Sequence, residues 1–276
     1  MLVDYHVHTD YSDDSDYHME DVVVDAIRLG LDEVCFTDHV DYGIKWDWGT
    51  EHKILYRGER PLANVYYPQY IEEITELQYL YGDKICIRTG LEFGVQTHTI
   101  PLFRSLYSRY PFDFIILSIH QIEDKELWTQ DFQKGKSQRE YNEKYYEEML
   151  SVVQKYKEYS VLGHLDLIAR YDENGVFPFQ KIKGLVETIL KNIIADGKGI
   201  EVNTSCYRYG LPDTTPSIEI LKLYRELGGK IITIGSDSHE PKHLGSHIKE
   251  TQQLLKSLGY THFCTYEKMS PIFHNL

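Results

Sequence analysis

Hydrophobic and polar positions follow two alternating rhythms along this chain. Near its start, Val3, Tyr5 and Val7 interleave with Asp4, His6 and His8. That period of two marks a β-strand whose alternate side chains share a face. Apolar, β-branched runs predict seven strands, at 2–8, 33–38, 85–91, 112–119, 160–164, 199–204 and 231–236. Between them, 3.6-residue periodicity predicts helices at 19–30, 68–81, 99–109, 139–158, 178–196, 216–228 and 244–257. In the first helix Val22, Val23, Ala26, Ile27 and Leu29 form one face, and Gly30 stops it. In the last, Leu254, Leu255 and Leu258 precede Gly259. A short apolar segment from His262 to Tyr266 is either an eighth strand or a tail.

Strict strand–helix alternation implies parallel strands joined by right-handed crossovers. Seven or eight such units predict an α/β barrel, closed or nearly so. An open doubly wound sheet is the alternative, but GxGxxG and GxxxxGK[ST] are both absent. No repeat, low-complexity tract or linker interrupts the pattern, so residues 1–276 are expected to form a single domain, a length suited to one barrel. Two strand-to-helix connections are long, 41–67 and 121–138. In a parallel barrel such loops gather at the C-terminal face, where the chemistry sits, and long ones build a lid or specificity wall. The first holds Trp46, Trp48, Arg57 and Arg60, the second Trp128. For any one of these, surface decoration is the alternative.

Composition narrows the class. With 42% hydrophobic residues the chain supports a sizeable core. Its 29 basic against 43 acidic residues give a net charge of −14, and no Lys/Arg cluster offsets it, which argues against a nucleic-acid partner. No apolar run approaches the roughly 20 residues needed to cross a bilayer, and Asp4 and His6 stand where a signal peptide would be apolar. Cys35, Cys86, Cys206 and Cys264 are widely spaced with no CxxC, which suits free thiols and a cytoplasmic location.

The ends of the strands carry the candidate chemistry. The first ends in His6-Val7-His8, with Asp14 six residues further on. The second ends in Thr37-Asp38-His39, the third in Gly90-Leu91-Glu92 and the fourth in Ser118-Ile119-His120. The fifth ends in Gly163-His164-Leu165-Asp166 and the seventh in Gly235-Ser236-Asp237-Ser238-His239. All would meet at one face of a barrel, and six of the 13 histidines are there. Imidazole with carboxylate is the donor set of zinc, manganese or iron, whereas oxygen alone would favour magnesium or calcium. A catalytic metal takes about three protein ligands. The nine candidates His6, His8, Asp14, His39, Glu92, His120, His164, Asp237 and His239 therefore suit two or three divalent transition metals better than one. Glu92 is alone on its strand and is the candidate bridging carboxylate.

This ordered set (HxH, T-D-H, G-x-E, S-x-H, G-H-x-D and G-S-D-x-H) resembles the PHP (polymerase and histidinol phosphatase) superfamily. Within it, the chain is most similar to the monofunctional, metal-dependent histidinol-phosphate phosphatases. The resemblance covers essentially the whole chain and implies a distorted (β/α)7 TIM-like barrel. It also implies a trinuclear site: His6 and His8 on one metal with Glu92 and Asp237, and Glu92 bridging to a second metal held by His120 and His164. Asp14, His39 and His239 would hold the third, although some superfamily members have His in place of Asp14. Asp13 is a neighbouring competitor, ranked lower on spacing.

The implied reaction is hydrolysis of L-histidinol phosphate to L-histidinol and phosphate in histidine biosynthesis. A metal-bridging hydroxide would attack phosphorus, with Glu92, Asp237 and His239 at the reacting centre. Arg170 and Arg208 are the candidate phosphate ligands, since a guanidinium matches two phosphoryl oxygens. Asp41 and Tyr42 would face the substrate's amine and imidazole end, and Asp38 and Asp166 would orient metal-bound imidazoles. His18, His52, His98, His243, His247, His262 and His274 are read as structural or surface residues. The rival readings are a broad phosphomonoesterase, a phosphotyrosine phosphatase, a nuclease and a metal-binding module without catalysis. The partner implied is thus a small phosphomonoester, with no membrane and no nucleic acid, and the sequence leaves the oligomeric state open.

Overall fold

The computed structural model describes residues 1–276 and contains the seven strand–helix units in the predicted order. The strands are β1 (Val3–Val7), β2 (Glu33–Phe36), β3 (Cys86–Gly94), β4 (Phe114–Ser118), β5 (Val161–Leu162), β6 (Gly199–Asn203) and β7 (Ile232–Gly235). The helices that follow them are α1 (Met19–Leu29), α2 (Tyr67–Tyr81), α3 (Ile100–Tyr107), α4 (Gln138–Lys155), α5 (Phe179–Ala195), α6 (Ile218–Glu226) and α7 (Ile248–Ser257). Each strand pairs in parallel with the next. Gly30 adopts φ 75° at the end of α1, the left-handed cap expected of it. A capping box of Ser137 with Glu140 opens α4.

The barrel closes between β7 and β1 through one short seam rather than a full ladder. Val7 bridges Ser238, His8 N–H donates to the Ser238 carbonyl at 2.8 Å, and Ser238 N–H donates to the His6 carbonyl at 3.2 Å. Below that bridge the buried Asp4 carboxylate accepts from the N–H groups of Ser236 and Gly245, both at 2.8 Å. A side chain thus substitutes for ladder hydrogen bonds, and the result is the distorted (β/α)7 barrel. The seam fixes the end of β1, with His6 on the strand and His8 just after it, against the segment that carries Asp237 and His239.

Residues 262–266 are a strand, but not an eighth stave. His262–Glu267 pairs antiparallel with Ser270–Asn275, and Tyr266 exchanges hydrogen bonds with the Tyr5 hydroxyl. This hairpin covers the end of the barrel opposite the strand termini, where Tyr5, Phe114 and Tyr266 pack ring to ring. The long loops are not structureless: 41–67 contains a hairpin of Leu55–Arg57 with Arg60–Leu62, and 121–138 one of Gln121–Ile122 with Lys125–Glu126. No helix is long and apolar enough to cross a membrane.

Candidate metal centre

Glu92, fully buried on β3, lies at the centre of the strand-end face. Its Oε1 is 2.7 Å from His164 Nε2 and 3.0 Å from His120 Nε2. Its Oε2 is 3.2 Å from His6 Nε2, 3.6 Å from His8 Nε2 and 3.0 Å from His39 Nδ1. One carboxylate therefore faces two separate groups of imidazoles, one per oxygen. Asp237, held at φ 56° just after β7, points Oδ1 at His6 Nε2 (3.7 Å) and His8 Nε2 (3.4 Å). Asp14 Oδ2 lies 3.6 Å from His39 Nε2 and 3.2 Å from His239 Nε2. Asp13 turns away to pair with Lys45, so of the two neighbours it is Asp14 that joins the histidines.

The donor set fits metal ions. His6 Nε2, His8 Nε2, His39 Nδ1 and Glu92 Oε2 are buried and make no hydrogen bond, although His6 and His39 come within 3.2 Å of the carboxylate. Leaving such atoms unsatisfied costs about 1–3 kcal/mol each unless something coordinates them. Three-atom groups compact enough for one ion include His6–His8–Asp237, His6–Glu92–His164 and His8–His39–His239. His8 stands near the His39–His239 side as well as the Asp237 side on which it was expected. Its ring stacks on His39 at 4.2 Å and on His239 at 4.1 Å.

The electrostatics follow from crowding. Against the penalty of burial, His120, His6 and His39 hold the Glu92 carboxyl well below the usual carboxylate range. Against the same penalty, His6, His8 and the two arginines hold Asp237 low. Burial, reinforced by His239 and His39, pushes His8 well below the usual imidazole range, which leaves it neutral. His120 is pushed up to about 9, because Glu92 and Asp41 outweigh its burial.

The groups that orient these imidazoles are not those expected. His6 Nδ1 sits 2.5 Å from Glu201 Oε1, and His120 Nδ1 sits 2.8 Å from Asp41 Oδ1. Glu201, fully buried on β6, was not among the candidates. Its signal was a lone carboxylate inside Gly199-Ile200-Glu201-Val202-Asn203, the one strand without a candidate ligand. Asp41 is therefore engaged with His120 and with Lys45, at 3.0 Å, rather than free to face substrate. Tyr42 is buried in the core, bonded to Asp47 and Tyr67. Asp38 reaches the histidines only through Ser12, whose Oγ donates to it at 2.7 Å and lies 3.3 Å from His8 Nδ1. Asp166 touches no histidine; it accepts from Ser217 N–H at 2.8 Å.

The basin opens into a cavity of about 490 Å³. Arg170 and Arg208 line it and converge on Asp237 Oδ2, at 3.3 and 3.6 Å, with Tyr209 beneath both guanidinium planes. Arg208 also donates to the carbonyls of Ser236 (2.7 Å) and Asp237 (2.5 Å). The two long loops meet at the cavity wall, where Arg57 pairs with Glu126 at 2.7 Å and lies over Trp128. Arg60 faces Asp16 instead, and Trp46 stacks on His52 outside the cavity lining. Of the histidines read as structural, His243 does reach the cavity wall.

Comparison with known proteins gives a consistent set of likenesses. A profile described as PHP domain matches residues 4–205. The histidinol-phosphatase of Lactococcus lactis subsp. lactis is 32% identical over 270 residues, covering 97% of this chain and 95% of that protein. A probable histidinol-phosphatase of Thermotoga maritima is 28% identical, with coverage of 94% and 93%. A crystal structure of the Lactococcus lactis histidinol phosphate phosphatase, complexed with zinc, L-histidinol and phosphate, superposes with a TM-score of 0.84 at 31% identity, covering 98% of each chain. A putative histidinol phosphatase of Listeria monocytogenes shares the fold, with a TM-score of 0.73 at 18% identity, covering 90% of this chain and 99% of that one.

Proposed function

The chain belongs to the PHP domain family, and from that premise we propose that it is a metal-dependent phosphomonoesterase that hydrolyses L-histidinol phosphate to L-histidinol and phosphate. The observation that carries this reading is Glu92, whose two oxygens face two separate imidazole groups within 3.6 Å beside a cavity lined by two arginines. The ligands are His6, His8, Asp14, His39, Glu92, His120, His164, Asp237 and His239, arranged for two or three ions. The mixed nitrogen and oxygen set suits zinc, manganese or iron, and the zinc in the Lactococcus lactis structure favours zinc.

Bound metals supply Lewis acidity and water of lowered pKa. The chain's own residues do the rest. Arg170 and Arg208 approach the Asp237 edge of the basin from one side, where their remaining N–H groups bind phosphoryl oxygens and fix the ester's orientation. Glu92, Asp237 and His239 surround the position of the reacting phosphorus. Glu201 and Asp41 hold the His6 and His120 rings in place. The Arg57–Glu126–Trp128 contact forms a further part of the cavity wall, against which the organic part of the substrate fits.

Residues 206–276 supply Asp237 and His239 to the same basin, which supports one catalytic domain over the whole chain. Four unpaired cysteines favour a cytoplasmic location, and the −14 charge disfavours nucleic acid as a partner. The test is metal analysis joined to a phosphate-release screen over a panel of phosphomonoesters. Two or three metals per chain, with histidinol phosphate turned over fastest, is the expected result. Fewer than two metals, or faster turnover of a tyrosine phosphopeptide, would overturn the assignment.

A further inference from the structure

Lys45 is a buried cation beside the basin that neither metal binding nor phosphate binding has so far used. Its side chain is 7% exposed, and its Nζ lies 2.5 Å from Asp13 Oδ1 and 3.0 Å from Asp41 Oδ2. A buried ammonium is costly unless it is paired, so two carboxylates at this range make a specified seat. The backbone is built to deliver it. Lys45 N–H donates to the Asp41 carbonyl at 2.8 Å, across a turn in which Gly43 adopts φ +100°. L side chains rarely adopt that φ, so the turn calls for glycine at this position.

We infer that Lys45 is a positioning residue that ties together the two sides of the metal basin: Asp41–His120 on one side and the segment carrying Asp14 on the other. The inference rests on the reading of the basin as a metal centre. On the first side, the Asp41 carboxylate is used at both ends, with Oδ1 on His120 Nδ1 at 2.8 Å and Oδ2 on Lys45. Removing the ammonium frees that carboxylate to rotate and loosens the ring it orients. On the second side, Asp14 is 52% exposed at its side chain, so packing alone does not fix it. Its segment is gripped by cations of the 41–67 loop: Lys45 on the Asp13 carboxylate, and Arg60 on the Asp13 carbonyl (2.8 Å) and the Asp16 carboxylate (2.7 Å). The long loop thereby acts as a clamp on the chain between His8 and His18, with Lys45 paired to a carboxylate on each side.

The full-length protein and its Lys45→Met, Lys45→Arg and Asp13→Asn variants test this. The readouts are metal stoichiometry, metal affinity by chelator competition, the visible spectrum of the Co²⁺-loaded protein, and kcat and KM. Lys45→Met is expected to weaken the most loosely held ion by about 10- to 100-fold and to perturb the Co²⁺ spectrum, as loss of an outer-shell partner does. Lys45→Arg keeps the charge and should recover most of that affinity. Asp13→Asn creates no unpaired carboxylate and should weaken only the ion on the Asp14 side, so it decides the matter if Lys45→Met does not fold. Wild-type metal affinity in Lys45→Met with only KM raised would make Lys45 a substrate contact and overturn the inference. Wild-type affinity at every site in Asp13→Asn would overturn it too. If the unaltered chain bound fewer than two metals, the metal-centre reading itself would fail, independently of Lys45.

Discussion

Glu201 Oε1 lies 2.5 Å from His6 Nδ1, both residues fully buried, while its Oε2 accepts from the His164 backbone N–H at 3.0 Å. One carboxylate on β6 thus aims the Nε2 of a β1 histidine at Glu92 and also fixes the turn that carries a second histidine. Its charge helps, with that of Glu92, to hold His6 well above the usual imidazole range despite burial. Glu201→Gln keeps the shape and removes the charge. It is expected to lower metal affinity by about 10- to 100-fold, the usual effect of losing a carboxylate behind a histidine ligand. Chelator-competition titration of the metal-free protein measures it; an unchanged affinity would remove Glu201 from the site.

The metal-free protein should lose stability as pH rises. His120 is pushed up to about 9 in the fold, against 6.5 for a free imidazole. A base whose folded pKa is raised contributes stability that is complete below about 6.5 and gone above the folded value. The melting temperature of chelator-treated protein should therefore fall between pH 6.5 and about 9, and the loaded protein should not share that fall. Metal binding at pH 7 should release protons, detectable by calorimetry in buffers of different ionisation enthalpy. A pH-independent binding enthalpy with no buffer dependence would contradict this picture.

The barrel was legible because both periodicities act along the chain itself: a strand repeats every two residues and a helix every 3.6. Clustering of the nine candidate ligands was legible because parallel strands must end on one face. What was not legible depends on direction rather than spacing. Asp38 adjoins His39, so its side chain leaves on the other side and meets Thr9 and Ser12. Asp166 follows His164 by two residues, but the strand has already ended at Leu162. Asp41 precedes a turn that folds Lys45 back over it, and no periodicity encodes that reversal. Glu201 lies within its strand rather than at the end, and only the closed barrel brings it under His6.

Asp166 gives a second pH signature in a different window. Burial pushes its carboxyl up to about 7, and hydrogen bonding such as that from Ser217 N–H only partly opposes this. An acid with a raised folded pKa binds its proton more tightly in the fold, so its contribution is lost as pH rises from about 4 to about 7. The full effect is at most about 4 kcal/mol. Asp166→Asn should flatten the stability profile across that range while leaving metal content unchanged. Denaturant unfolding at pH 5 and pH 8 checks it; an unaltered slope would show that Asp166 does not titrate there.

Arg170 and Arg208 share Asp237 but should not be equivalent. Arg208 is engaged by two backbone carbonyls that shape the β7 exit, whereas Arg170 has a buried Nε without a partner. Arg170→Ala is expected to lower kcat/KM by about 10²-fold with metal content intact, the scale of a lost charge-assisted contact. Arg208→Ala should do the same and also lower the melting temperature. Steady-state kinetics with phosphate inhibition separates the cases, and unchanged KM and kcat in either variant would end its role as a phosphate ligand.

The position of His8 makes the metals separable by substitution. His6 faces Glu92 and Asp237, Asp14 faces His39 and His239, and His8 faces both groups. His6→Ala should therefore strip the ions bridged by Glu92 and abolish turnover. Asp14→Ala should release one ion and leave the bridged pair in place. His8→Ala should weaken every ion that draws on either group, a loss broader than that of Asp14→Ala. Metal counts on the three purified variants, with zinc supplied and excess removed, give the pattern directly. Equal losses in His6→Ala and Asp14→Ala would mean that the ions bind as one cooperative unit, and the division into separate positions would have to be abandoned.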